Sequence, residues 1–156
     1  MTRHSGWITT TFFLLVFYTF GASLMDSFAM YHTWRFVGEE EFSTMHVESG
    51  KRIVMVFVIP TFLMTVFLIL FFWHRPKFVS RKLVWAAFVC GIIPWLSSAL
   101  IQIPIQIRLD GGKDQALLEW LILSDWIRVV PAFGLMAIAF VMLKIIIDES
   151  LHVTRK

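Results

Sequence analysis

The sequence predicts an all-α, polytopic membrane protein: an antiparallel four-helix transmembrane bundle with short amphipathic helices in its two outer loops. Three observations predict it. The 156 residues are 58% hydrophobic and 16% charged, which leaves too little polar surface for a soluble domain of this length. The apolar residues fall into four runs, at 7–30, 53–73, 83–107 and 126–147, each close to the ~20 helical residues that cross a hydrocarbon core. A short basic turn joins the second run to the third, as expected between neighbouring antiparallel helices. The whole chain, 1–156, reads as one membrane domain, with the lipid bilayer as its first partner.

Charge sets the expected orientation. The net charge is +3, but it is spread along a membrane topology rather than gathered into a nucleic-acid-binding surface, so no nucleic acid partner is expected. Arg75, Lys77, Arg81 and Lys82 occupy the 74–82 turn, Arg3 the start, and Arg155 and Lys156 the end. Glu39, Glu40, Glu41, Glu48, Asp110, Asp114 and Glu119 occupy the other two connections. The positive-inside rule then places a multi-pass protein in the cell membrane with both termini cytoplasmic and the long loops outside.

The first run opens with Trp7 and is too long for a cleaved signal, so it reads as an anchor. Asp26 follows Trp7 by about 28 Å of helix, at the outer boundary. Tyr31, His32, Trp34 and Arg35 form an aromatic and basic rim there. In the first outer loop the three consecutive glutamates suit a helix N-terminus, where the dipole favours anions. Phe42, Met45, His46 and Ser49 then share one face, on a helix that continues into the second run. Pro60 interrupts that run's backbone hydrogen bonding.

In the third run Ser98, Gln102 and Gln106 recur every four residues, forming one polar stripe. Pro104 lies within the stripe and frees the carbonyl of Leu100. Gly111 and Gly112 end the segment, and Asp114 caps an amphipathic helix carrying Leu117, Leu118, Leu121 and Ile122. Ser124 or Asp125 caps the last run, which contains Arg128 and Pro131. The lone Cys90 forms no internal disulfide.

Ionisable groups at membrane depth are costly and mark candidate sites. Asp125 and Arg128, three apart on a helix, form an ion pair; either it only carries Arg128 into the bundle, or it orients a planar donor fork toward a ligand oxygen. Gln102 and Gln106 are either interhelical glue or the wall of a cavity. His32 and His46 are either interfacial side chains or acid–base groups, with His46 the candidate general base. Asp26 is either a partner of Arg35 or Arg128, or a carboxylate facing the pocket. Trp95 and Trp126 are placed to line a pocket, whereas Trp7, Trp34, Trp73 and Trp85 are belt residues. No metal-ligand spacing, nucleotide fingerprint, phosphate loop, CxxC or HExxH is present, and no cofactor is identified.

Tyr31-x-x-Trp34, Phe42-x-x-x-His46, Pro60, Gln102-x-Pro104-x-Gln106-x-x-Leu109 and Trp126-Ile127-Arg128 together make a pattern. It resembles small four-helix bacterial membrane proteins related to the anthrone-oxygenase-like family. That resemblance implies a compact membrane bundle in which His46, Gln102 and Arg128 face the pocket. It also implies oxidation of polycyclic aromatic anthrones by molecular oxygen without an evident metal or flavin. The chain carries Gln106 where many such proteins would carry a histidine, and glutamine cannot act as a base.

The functional reading is a polar pocket facing outward that binds a small apolar, aromatic or quinone-like ligand, oxygenase-like in its fuller form. His46 and Arg128 are then the catalytic candidates. Gln102, Gln106, Arg128, Asp125, Trp95, Trp126, Asp26 and His32 are the ligand-binding candidates. The competing reading is a non-catalytic accessory subunit of a larger membrane complex, of pigment or electron-transfer type. A transporter is disfavoured because the inner half offers few polar groups.

Overall fold

The computed structural model describes residues 3–154, with side chains from 5 to 152. Arg155, Lys156 and the side chain of Arg3, all part of the charge argument above, lie outside the described residues. Every regular element described is helical. Among the described residues, four helices are long and apolar enough to cross a membrane: Ser5–Trp34, Glu39–His74, Arg81–Leu109 and Gln115–His152. This is compatible with an integral membrane protein. Leu100, Phe62 and Trp7 are among many large apolar side chains turned outward, far more than a soluble monomer exposes.

Each long helix is divided where its sequence is irregular. The first comprises α1 (Arg3–Leu24), a π-helical turn (Met25–Met30) and α2 (Tyr31–Trp34). The second comprises α3 (Glu39–Ile53), a π-helical turn (Val54–Val58) and α4 (Ile59–His74). The third comprises α5 (Arg81–Ser97), a π-helical turn (Ser98–Gln102) and α6 (Ile103–Leu109). The fourth is α7 (Gln115–Ser124) and α8 (Trp126–Thr154), broken at Asp125. Pro60 and Pro104 are the second residues after the second and third π turns. A proline has no N–H for the carbonyl four residues back. For Pro60 that carbonyl is Val56, and Tyr18 Oη on α1 donates to it at 2.9 Å.

Local chemistry sets the ends. Ser80 and Asp114 cap α5 and α7, accepting from the N–H groups of Leu83 and Leu117. Glu39, Glu40 and Glu41 fill the first turn of α3. Gly112, at φ +145°, makes the turn that releases α6 and would strain any other residue.

Ser5 Oγ, near the start of α1, donates to the carbonyl of His74 at the end of α4, at 2.7 Å. With the Tyr18–Val56 bond, this sets α1 and α4 running in opposite directions. Gly91 and Gly134 allow close helix approach, since a Cβ would stand 3.4 Å from Leu68 Cδ2 and 3.1 Å from Cys90 Sγ respectively. Trp95 Nε1 donates to Thr65 Oγ1 at 3.0 Å, joining α5 to α4. Phe12, Phe71, Leu68, Ala87 and Met142 belong to one buried cluster in the half nearer the termini. Tyr31, Trp34, Phe42, Leu109, Leu118 and Leu121 form a second in the other half, with Leu117 and Ile122 packed against it. The amphipathic face predicted for 117–122 is the face that packs.

Candidate functional site

Between the two clusters lies a cavity of about 390 Å³, walled by residues of all four long helices. Val16, Met64 and Leu135 border it toward the first cluster, and Tyr31 toward the second. Val47, Val54, Val58 and Ile103 line it and are also exposed on the apolar exterior. The cavity therefore opens sideways, between the second and third long helices.

Its polar end is built from the π-interrupted segments. His46 stands on α3 with its ring between two aromatics: Phe42 stacks on it with centroids 5.5 Å apart, and Trp34 meets it edge-on at 4.6 Å. Its Nδ1 lies 2.7 Å from Asp110 Oδ1 and its Nε2 lies 2.7 Å from Gln106 Oε1. Gln106 Nε2 donates to Tyr31 Oη at 3.2 Å, and Arg128 Nη2 donates to the same oxygen at 2.8 Å. The guanidinium carbon also sits 5.7 Å from the Tyr31 ring centre. A continuous polar chain thus runs from Asp110 through His46, Gln106 and Tyr31 to Arg128.

The chain has two proton arrangements. With the Gln106 oxygen toward the ring, Nε2 must carry a proton; with the amide NH2 toward it, Nε2 accepts. The two differ by one proton at Nε2 and by the direction of the Gln106–Tyr31 bond. Gln106 cannot act as a base, yet it sits where it can stabilise His46 in either state.

Arg128 is also held by carboxylates. Its Nε donates to Asp125 Oδ1 at 2.6 Å, Nη2 also pairs with Asp125, and Asp26 Oδ2 lies 3.5 Å from Nη2. Asp26 and Asp125 are 5% and 4% exposed at the side chain, against 11% for Arg128. Two buried carboxylates thus share one guanidinium, and Asp26 Oδ1 has no hydrogen-bond partner among the described residues. Asp26 meets Arg128; Arg35 instead pairs with Glu119 and donates to His32 Nδ1 at 3.1 Å.

Gln102 also lines the cavity, but its amide is engaged: Ser97 Oγ donates to Oε1 at 2.9 Å, and Nε2 donates to the Ser124 carbonyl at 3.3 Å. Of the sequence candidates, His46, Gln102, Gln106, Arg128 and Trp95 come together on the cavity wall. Asp26 and Asp125 stand behind Arg128. His32 and Trp126 do not reach the cavity; with Asp125 and Phe28 they border a smaller cleft elsewhere, where Trp126 meets Phe28 edge-on at 5.8 Å. Among the described residues no group of three His, Cys, Asp or Glu side chains gathers as a metal site.

Sequence reasoning missed Asp110, which it read as a loop acid, and Tyr31, which it read as rim. The signal for Asp110 was there, since Ser98, Gln102, Gln106 and Asp110 continue one four-residue stripe. Nothing in the sequence marked Tyr31 as the joint between Gln106 and Arg128. No protein-family model, curated protein or solved structure matches this chain.

Proposed function

We propose that the protein binds a small apolar molecule, aromatic or quinone-like, that reaches the cavity from the lipid. One observation carries this reading: a cavity open to the apolar exterior ends in a linked set of polar groups. Such a combination of apolar walls and a few convergent polar groups is what small-molecule sites use. Arg128 and Gln106 would hold the ligand's oxygen, and Trp95 would pack on its body. His46, fixed by Asp110, would take or return a proton at Nε2. The oxygenase-like extension follows from the family resemblance: His46 would draw the acidic proton from an anthrone-type CH2, and dioxygen as co-substrate would supply one oxygen to the new carbonyl and leave with the two hydrogens as water.

The direct test uses the purified chain in lipid nanodiscs and the quenching of tryptophan fluorescence by 2-methyl-1,4-naphthoquinone. Saturable quenching, lost when His46 and Gln106 are both replaced by leucine, supports the reading. Quenching that rises linearly with quinone and is equal in the double variant rejects it. Recovery of a fixed protein partner in place of a small molecule would favour the accessory-subunit reading. For orientation, we place the 74–82 turn in the cytoplasm and the α3 and α7 ends outside. Cysteines at Lys77 and Glu40 would then label from opposite sides of intact cells.

A further inference from the structure

Gly50 is an interior residue of α3 that no packing contact requires to be small. A Cβ built there meets no atom within 4 Å. Gly134 behaves differently, because an added Cβ there would stand 3.1 Å from Cys90 Sγ, and at Gly91 it would already touch Leu68 Cδ2 at 3.4 Å. Glycine is the poorest helix former after proline, and alanine would fit the space and favour the helix. What the missing side chain leaves is width.

The position of that width is specific. Gly50 lines the cavity one turn beyond His46, between Val47 and Val54, which border the lateral opening. Ile103 and Gln106 line the cavity from the third long helix. Any side chain at position 50 would project into the gap between the opening and the polar end. Gly21 makes the contrast: it too has nothing within 4 Å of an added Cβ, but it lies on the exposed side of α1 and takes no part in the cavity wall.

We propose that Gly50 sets the width of the doorway, admitting a ligand whose oxygen-bearing end is a rigid ring system. The inference rests on the reading of the cavity as a ligand site and narrows the ligand class. A slender unbranched chain would pass a doorway carrying a side chain at position 50, whereas a fused or substituted ring would not. Gly50 acts here as a specificity-determining residue with no chemistry of its own.

The experiment compares wild type, Gly50→Ala, Gly50→Leu and the control Gly21→Leu in nanodiscs, by saturable tryptophan quenching with two probes. One is 2-methyl-1,4-naphthoquinone; the other is 10-bromodecan-1-ol, a slim chain whose bromine quenches tryptophan. The expected result is a graded loss of naphthoquinone affinity, about tenfold or more by the leucine variant, as pocket-size changes of this kind produce. The bromoalcohol should lose less than about threefold on the same scale. Thermal midpoints of the Gly50 variants should equal or exceed that of wild type, and Gly21→Leu should bind both probes as wild type does. Unchanged naphthoquinone affinity in Gly50→Leu, or equal loss of both probes, overturns the proposal. Should the leucine variant fail to fold, naphthoquinone affinity in Gly50→Ala that equals wild type overturns it as well. Absence of saturable binding of either probe to wild type overturns the ligand-site reading itself, which is a distinct result.

Discussion

His46 Nδ1 lies 2.7 Å from Asp110 Oδ1, so a ring 3% exposed at the side chain is tied to a carboxylate that is 49% exposed. Asp110 fixes the ring's rotation and leaves Nε2 toward Gln106. Asp110→Asn should lower stability by about 1–3 kcal/mol, the range for a lost charge-assisted bond, discounted toward the low end because Asp110 meets water. His46→Phe keeps the packing between Phe42 and Trp34 but leaves Gln106 Oε1 without its partner. The double variant should cost less than the sum of the two, as thermal unfolding in a double-mutant cycle would reveal.

Arg128 is the counter-charge for two buried carboxylates. Arg128→Ala should destabilise by about 3–5 kcal/mol, because Asp26 and Asp125 would remain without compensation. Asp26→Asn alone should change stability by less than about 1 kcal/mol, since its bond to Arg128 is long and one of its oxygens is unpartnered. Added to Arg128→Ala, Asp26→Asn should restore part of the loss. If Arg128→Ala unfolds at the wild-type temperature, the three residues do not act as a charge-balanced unit.

Gln102 separates glue from ligand contact. Its amide bridges α5 and the end of α7 through Ser97 and Ser124. Gln102→Leu should therefore cost about 1 kcal/mol, the usual scale for a polar link between membrane helices. Naphthoquinone quenching should barely change. A large loss of quenching with intact stability would mean that Gln102 holds the ligand directly.

Tyr18 supplies the donor that Pro60 withholds. Tyr18→Phe should cost about 1 kcal/mol by leaving the Val56 carbonyl unpaired. With Pro60→Ala, which restores an N–H to the helix, the same change should cost much less. Independent effects in the cycle would show that the carbonyl finds no donor in the restored helix.

How far the sequence carried depended on the range of the interaction. Four apolar runs and the cap at Asp114 are local properties, and they appear where the spacing placed them. The polar stripe on the third helix was equally readable, because one helix fixes which of its residues share a face. The partnering of Arg128 with Tyr31, and the separation of His32 and Trp126 from the cavity, depend on how four helices rotate against one another. A π turn makes that rotation hard to foresee: it shifts the facing of every residue beyond it, while leaving the apolar composition unchanged.

Each of the first three helices holds its part of the first buried cluster on one side of such a turn and its contribution to the polar end on the other. A π turn amounts to one extra residue in an α-helix. Deleting one residue from Val54–Val58 would return the wide turn to plain α-helix and leave Glu39–Ile53 facing as it does relative to α4, because the turn already absorbs the extra residue. His46 and Gly50 would stay on the cavity wall, with Met64, Leu68 and Phe71 in place, whereas one residue deleted within unbroken α3 would turn the part before it by about 100°. The wide turns thus let each of these helices carry one residue more between its halves without re-aiming either half.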